Sequence, residues 1–153
     1  MKTYQITSKQ FLPISIDEGW DFLSKPENLG KITPPDMHFN IESQSGESTY
    51  AGQIIKYKIK VPPGIKMNWM TEITHVNAPY YFVDEQRTGP YALWHHQHHL
   101  KSVAGGIEMT DEVNYALPMG FLGVIAHSLF VKRQLKGIFS YRHQILNEIF
   151  KKT

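Results

Sequence analysis

The chain has 153 residues, of which 41% are hydrophobic and 20% charged, and its formal net charge is +2. This composition indicates one globular domain over residues 1–153, and the short basic runs give no support to a nucleic-acid partner or a polybasic membrane anchor. The absence of cysteine excludes disulfides, thiol catalysis and cysteine-ligated zinc. The first residues lack the apolar core of a signal peptide and no apolar run approaches about 18 residues, so we expect a cytoplasmic protein without stable membrane insertion.

The N-terminal part predicts one strand and two short helices. Residues 1–12 are rich in β-forming side chains and read as the opening strand. Ser15 and Glu18 then form a capping-box pattern, which starts a first helix. Pro26 suits the first turn of a second short helix. Thr33-Pro34-Pro35 ends that helix, because proline restricts the residue before it and cannot continue a helix.

From residue 37 onward, apolar and polar residues alternate with the period of two that is typical of strands with one buried face. In the first of these strands the alternating apolar residues are Met37, Phe39 and Ile41. Turn-forming segments divide the region into an antiparallel meander of six strands. These segments are Pro62-Pro63-Gly64, Asn77-Ala78-Pro79, Gly89-Pro90 and Ala104-Gly105-Gly106.

The C-terminal part returns to a helical period and predicts one long amphipathic helix over Ile125 to Phe150. Its apolar stripe consists of Ile125, Leu129, Val131, Leu135, Ile138, Phe139, Ile145, Leu146, Ile149 and Phe150. Among these we expect strong burial of Leu135, Ile138, Phe139 and Ile145, with edge positions for Lys132, Arg133 and Lys136. Gly137, inside the helix, is expected to mark close packing or a bend. Such a helix needs a wide apolar partner, and the concave face of the sheet is the candidate large enough.

One strand carries an unusual concentration of histidine. Residues 89–100 hold four of the eight histidines. In a strand, His96 and His98 share a face with Trp94, whereas His95 and His99 lie on the opposite face. Apolar neighbours mark the first face as the inward one, so His96 and His98 are expected beside a core or cavity.

The next turn fixes which residue faces these histidines. If Ala104-Gly105 is its centre, antiparallel pairing sets His98 opposite Asp111 and His96 opposite Val113. We therefore predict a hydrogen bond or close contact between His98 and Asp111, with His96 best placed to reach a ligand.

The order of elements and several local segments resemble a known superfamily. The segments are Trp20-Asp21-Phe22-Leu23, Pro26-Glu27-Asn28-Leu29, Thr33-Pro34-Pro35, Gly89-Pro90-Tyr91, Trp94 to His98, Asp111 to Tyr115 and Ile138 to Arg142. They are similar to the START-like, or SRPBCC, superfamily and within it to the bacterial polyketide-cyclase-like branch. The resemblance implies an α+β helix-grip fold (β-α-α-β6-α), in which an antiparallel sheet wraps around a long C-terminal helix and leaves an internal cavity. It implies no single reaction, because the superfamily includes lipid carriers, hormone receptors and cyclases.

Five inward polar residues are expected in one region: Asp84, Gln86, His96, His98 and Asp111. Two roles stay open for them, an internal hydrogen-bond network that fixes strand register and the recognition or acid-base chemistry of a bound molecule. His96, His98 and Asp111 are the catalytic candidates. Two histidines and a carboxylate are also ligand types of iron and zinc, but the spacing alone does not indicate a metal, and we expect neither a metal nor a cofactor.

Aromatic side chains are expected on the same inward face, either as ordinary core or as the wall of a small-molecule cavity. They are Tyr57, Trp69, Phe82, Trp94 and Tyr115. Arg142, on the inner side of the last helix, would pair with a sheet carboxylate or anchor an anionic ligand.

From these residues and the resemblance we expect binding of a hydrophobic or aromatic small molecule of lipid or polyketide type. Two alternatives remain, an enzyme of cyclase, hydratase or hydrolase type that uses the His/Asp pair, and a regulatory interaction domain. The sequence leaves the oligomeric state open.

Overall fold

A computed structural model describes residues 1–61 and 64–151. One strand and a short helical region come first: β1 (Thr3–Leu12), α1 (Ile16–Leu23) and 3-10 turns at Pro26–Ile32 and Pro35–Met37. Six strands follow: β2 (Asn40–Gln44), β3 (Gln53–Val61), β4 (Ile65–Asn77), β5 (Tyr81–Thr88), β6 (Leu93–Val103) and β7 (Gly106–Ala116). The C-terminal helix, residues 120–149, comprises α2 (Gly120–Ala126), a π-helical turn (His127–Val131) and α3 (Lys132–Ile149).

The strands form one antiparallel sheet in the order β1-β7-β6-β5-β4-β3-β2. The β6–β7 hairpin turns at Ala104 and Gly105, and Gly105 has a φ of 81°, a left-handed conformation that glycine adopts without a steric penalty. This turn gives the expected pairing, with His98 opposite Asp111 and Trp94 opposite Tyr115. The central strands β5, β6 and β7 therefore bring the histidines and both inward aspartates to adjacent positions.

The N-terminal helices follow the sequence signals in part. The capping box is confirmed, since the Ser15 hydroxyl accepts from the Glu18 amide and the Glu18 carboxylate accepts from the Ser15 amide. The second helix is a 3-10 segment instead of an α-helix, as expected for a short run that starts at a proline and is soon followed by two more. The expected strand at Met37 is wrong. Met37 ends a 3-10 turn and His38, with a φ of 45°, redirects the chain before β2 begins at Asn40.

The C-terminal helix packs across the sheet but does not bury its whole predicted stripe. Leu135 and Leu146 are buried, while Ile138, Phe139 and Ile145 are half-buried. Lys132, Arg133 and Lys136 are exposed, as expected. The predicted burial of Ile125, Leu129 and Ile149 is wrong, because all three are exposed.

The π-helical turn explains most of this difference. It adds one residue to a helical turn and so rotates everything before residue 127 relative to α3. A stripe drawn at a constant 3.6-residue period therefore loses contact with the sheet at its N-terminal end. Gly137 marks no close packing, because a Cβ atom built there meets nothing within 4 Å.

Two further expectations concern a turn in the meander and membrane insertion. The turn predicted at Pro62-Pro63-Gly64 includes residues 62 and 63, which lie outside the described residues. Over the described part of the chain, the helices are too short or too polar to cross a membrane.

Candidate functional site

The described residues line a cavity of about 170 Å³, partly open to solvent, between the inner face of the sheet, α1 with its following 3-10 turn, and α3. An engineered apolar cavity of roughly 150 Å³ in another protein holds a benzene molecule, which sets the scale. Aromatic residues form much of the wall, namely Phe22, Phe39, Tyr57, Trp69, Phe82, Tyr91, Trp94 and Phe139. The cavity is thus large enough for a compact ring system.

The aromatic residues hold one another in place. The rings of Tyr57 and Trp69 stack at 5.7 Å, and Trp94 stands at 90° to Trp69 with a centroid distance of 5.4 Å. Tyr91 packs on Trp94 at 4.7 Å. Tyr91 is absent from the residues that strand alternation selects, because it lies in the loop before β6. Its place directly after Gly89-Pro90 was the available signal.

One part of the cavity wall is polar, and we call Asp84, His96, His98, Asp111 and Arg142 the polar cluster. Asp84 on β5 lies opposite His96, and Asp111 on β7 lies opposite His98, so the two carboxylates flank the β6 histidines from both sides. Arg142 reaches the cluster from α3. Four of these residues line the cavity, whereas Asp111 lies behind the histidines with 1% exposure.

A single oxygen of Asp111 holds the rear of the polar cluster. Its Oδ1 lies 3.0 Å from His96 Nε2, 3.0 Å from His98 Nδ1 and 3.3 Å from Arg142 Nη1. The predicted close contact between His98 and Asp111 is therefore confirmed. The hydrogen bond to Asp111, however, is donated by His96, because the angle at His98 Nδ1 is unfavourable.

Asp84 holds the front of the polar cluster. Its Oδ2 lies 2.6 Å from His98 Nε2 and 3.5 Å from His96 Nδ1. His98 is further fixed by Phe82, whose ring stacks on the imidazole at 4.1 Å. The sequence placed Asp84 on the inward face, but it gave no indication that Asp84 is the hydrogen-bond partner of His98.

The two histidines have opposite electrostatic environments. Burial and the charge of His98 lower the pKa of His96. Burial also lowers the pKa of His98, but Asp111 and Asp84 outweigh burial and raise it above its ordinary value. The two pKa values are therefore shifted in opposite directions, and His98 is the more basic of the two imidazoles. Such a split between neighbouring groups is typical of acid-base sites.

Both carboxylates are held in the ionised form. Burial raises the pKa of Asp111, but the Arg142 charge and the two histidines lower it well below the ordinary range. For Asp84, burial again raises the pKa, and the adjacent His96 and His98 bring it below the ordinary value. The polar cluster thus combines two carboxylates with one guanidinium and two imidazoles.

Besides Asp111, two predicted site residues lie outside the cavity wall. Gln86 donates to the Tyr91 carbonyl at 2.7 Å and accepts from the Tyr91 amide at 3.1 Å, so it fixes the loop before β6. The Tyr115 hydroxyl pairs with His127 Nε2 at 2.9 Å, away from the cavity. Their positions follow from these local partners, which an alternation pattern does not specify.

Neither a family model nor a curated protein matches the sequence. Solved structures do match. The di-domain ARO/CYC protein BexL from the BE-7585A biosynthetic pathway is 14% identical with a TM-score of 0.74, over 99% of this chain and 51% of that chain.

Two further matches show how widely the architecture recurs. A major latex-like protein from Panax ginseng is 11% identical with a TM-score of 0.71, over 98% of this chain and 99% of that chain. A nucleoside-diphosphate sugar epimerase from Corynebacterium glutamicum is 22% identical with a TM-score of 0.64, over 94% of this chain and 28% of that chain. The shared feature at these identities is the fold, and the helix-grip fold implied by the START-like resemblance is confirmed.

Proposed function

We propose that this protein binds a hydrophobic or aromatic small molecule in the cavity, with the polar cluster holding one polar group of that molecule. The supporting observation is an aromatic cavity with a cluster of charged and titratable side chains in its wall, contributed by Asp84, His96, His98 and Arg142. Pockets for small molecules combine a largely apolar wall with a few convergent polar groups in this way.

The hydrogen bonds that the wall leaves unmade indicate the chemistry of that polar group. Trp69 Nε1 and Arg142 Nε are buried and have no hydrogen-bond partner among the described residues, although both side chains line the cavity. Both atoms carry hydrogen and neither can accept, and an unmade buried donor costs about 1–3 kcal/mol. A ligand with an acceptor oxygen, such as a carbonyl, a phenol or a carboxylate, would satisfy a donor that a small side-chain rotation turns into the cavity.

The size of the cavity limits the carbon skeleton. A volume of about 170 Å³ is close to that of the benzene-binding cavity and suits a compact ring system. A long acyl chain exceeds this volume and would extend out of the cavity. We therefore favour a compact aromatic compound of polyketide type over a long-chain lipid.

Tryptophan fluorescence tests the proposal, because Trp69 and Trp94 line the cavity and Trp20 does not. With 1-naphthol as the probe, we expect saturable quenching in the wild-type protein and in Trp20→Phe. The quenching should be lost in the Trp69→Phe/Trp94→Phe double variant. Saturable quenching of equal amplitude in the double variant would show that 1-naphthol binds elsewhere and would contradict the proposal. Native mass spectrometry of the purified protein then identifies any retained compound.

Acid-base catalysis on the bound molecule is the second candidate, of the cyclase, hydratase or hydrolase type. The observation that favours it is the 2.6 Å contact between His98 Nε2 and Asp84 Oδ2 in the cavity wall, next to His96, whose pKa is lowered by burial. One histidine would donate a proton and the other would accept one. Loss of turnover in His98→Gln with unchanged ligand affinity would establish catalysis. A ligand that is bound and released unchanged would assign the protein to the carriers.

A further inference from the structure

We propose that Asp84, His96 and His98 form a binding site for a divalent transition-metal cation of the zinc type. One carboxylate oxygen and two imidazole nitrogens from these side chains lie within 4.8 Å of one another. The sequence pattern suggested His96, His98 and Asp111 as possible metal ligands. In the structure the carboxylate of the set is Asp84 on β5, and Asp111 lies behind the histidines. Carboxylate and imidazole donors without thiolate suit zinc, iron(II) and cobalt(II).

The first argument is a shortage of hydrogen atoms in the polar cluster. Each of the four imidazole nitrogens lies 3.5 Å or less from a carboxylate oxygen, two of them at Asp111 and two at Asp84. Two neutral imidazoles carry two N–H groups between them. Two of the four contacts therefore set a nitrogen lone pair against a carboxylate oxygen. A dication among Asp84, His96 and His98 would supply the positive charge of the two missing hydrogens.

The second argument concerns Asp111. It lies where many metal sites have a carboxylate that does not bind the metal but accepts a hydrogen bond from a histidine ligand. His96 donates from Nε2 to Asp111, so the lone pair of its Nδ1 lies on the side of Asp84. A carboxylate that accepts from the far nitrogen of a histidine ligand fixes its tautomer and increases its basicity. Arg142 in turn holds Asp111 at 3.3 Å.

The distances and the charges agree with this arrangement. Two tetrahedral ligands, each about 2.1 Å from zinc, are about 3.4 Å apart. The 3.5 Å separation of Asp84 Oδ2 from His96 Nδ1 is close to that value, and the 2.6 Å contact with His98 Nε2 is a hydrogen bond that a bound cation would replace. With neutral histidines, the polar cluster has two carboxylates against one guanidinium, so a buried cation reduces an excess of negative charge.

The site would leave coordination positions free toward the cavity, because all three side chains line it. Three protein ligands with an open position are typical of catalytic zinc, whereas structural zinc has four protein ligands. The open position would accept water or the acceptor oxygen of a bound molecule. The metal site does not require the proposed ligand, and metal affinity can be measured without it.

Cobalt(II) and zinc(II) are the probes for the experiment. Protein freed of metal with EDTA is dialysed and titrated with Co²⁺, followed by visible absorption, and with Zn²⁺, followed by calorimetry. We expect one equivalent to bind, with the visible bands of cobalt in a low-symmetry site. Asp84→Asn and His98→Gln should abolish these bands, and Asp111→Asn should weaken Zn²⁺ binding about 10- to 100-fold.

His95→Gln is the matched control, since His95 pairs with Glu85 at 2.7 Å on the outer face of the same two strands. Circular dichroism establishes that each variant is folded. If His98→Gln fails to fold, loss of the cobalt bands in the nearly isosteric Asp84→Asn variant tests the proposal instead. Absence of Co²⁺ binding to the wild-type protein, or binding that is lost in His95→Gln and kept in Asp84→Asn, would overturn the proposal. Quenching by 1-naphthol in metal-free protein would be unaffected by either result.

Discussion

Asp111 is the buried residue on which the electrostatic balance of the polar cluster depends, because its Oδ1 contacts Arg142 and both histidines. Asp111→Asn would leave the Arg142 guanidinium buried without a countercharge. Breaking a buried pair from one side costs about 3–5 kcal/mol. We expect a decrease of that size in the free energy of unfolding, measured by urea denaturation of metal-free protein. Glu112→Gln changes the adjacent, half-exposed residue and should stay within about 0.5 kcal/mol; equal losses in both variants would refute the assignment.

The same carboxylate predicts a dependence of stability on pH. The pKa of Asp111 lies well below its ordinary value in the folded protein. Its ionised form therefore stabilises the fold fully above the unfolded pKa of about 3.9, and this stabilisation is lost as pH falls below that value toward the folded pKa. Between about pH 4 and pH 3, unfolding free energies of the wild-type protein should fall more steeply than those of Asp111→Asn. Parallel pH profiles for the two proteins would show that the folded pKa is not depressed.

At the residue scale, the sequence predicts on which face of the sheet a side chain lies, but it does not determine that side chain's hydrogen-bond partner. Alternation and the turn at Gly105 were enough to set His98 opposite Asp111, because both signals are local. The choice between Asp84 and Asp111 as hydrogen-bond partner depends on side-chain rotamers, which the period of a strand does not fix. Tyr91 and Gln86 illustrate the same limit, since their loop contact has no periodic signal.

The C-terminal helix allows a matched test of its two faces. Leu135 is 2% exposed and packs with Val113 and Tyr115, whereas Leu129, six residues earlier, is 61% exposed. Leu135→Ala should lower the free energy of unfolding by about 2–5 kcal/mol through lost burial and a cavity. Leu129→Ala removes the same atoms and should change it by less than about 0.5 kcal/mol. Chemical denaturation measures both, and similar losses would mean that the helix is rotated from the described position.

Gly137 gives a prediction of the opposite sign. The residue lies in the interior of α3, and an added Cβ atom meets nothing within 4 Å. Alanine has a higher helix propensity than glycine, so Gly137→Ala should stabilise the protein by roughly 0.5–1 kcal/mol. Gly106→Ala is the contrasting change, because its Cβ atom would collide with the Leu12 carbonyl on β1. Thermal unfolding should therefore shift upward for the first variant and downward for the second.

At the scale of elements, local chemical signals were sufficient for strands, caps and turns. The capping box at Ser15 and the start of 3-10 structure at Pro26 follow from single residues and their neighbours. The π-helical turn at His127–Val131 has no such signal, because every residue in it is compatible with an ordinary α-helix. For that reason the expected burial failed at Ile125 and Leu129 and held at Leu135.

At the scale of the whole molecule, the resemblance predicted the architecture and left the cavity undefined. The order of elements implied a sheet that grips a helix, and the seven-stranded sheet with its C-terminal helix has that form. The volume of about 170 Å³ depends on how closely α3 approaches the sheet. That distance results from many small packing contacts, which cannot be read from a list of inward residues.

The pairing of β1 with β7 has a consequence for folding during synthesis. These strands lie roughly 100 residues apart in the chain, whereas β5, β6 and β7 are joined by short turns. At about 5–20 residues per second, the first strand leaves the ribosome some 5–20 s before its neighbour exists. The strands that carry the histidines and both aspartates can pair as soon as they emerge, because closing a short loop loses less entropy than closing a long one. The two aspartates and two histidines of the polar cluster are therefore brought together by local hairpins, and the N-terminal strand completes the sheet afterwards.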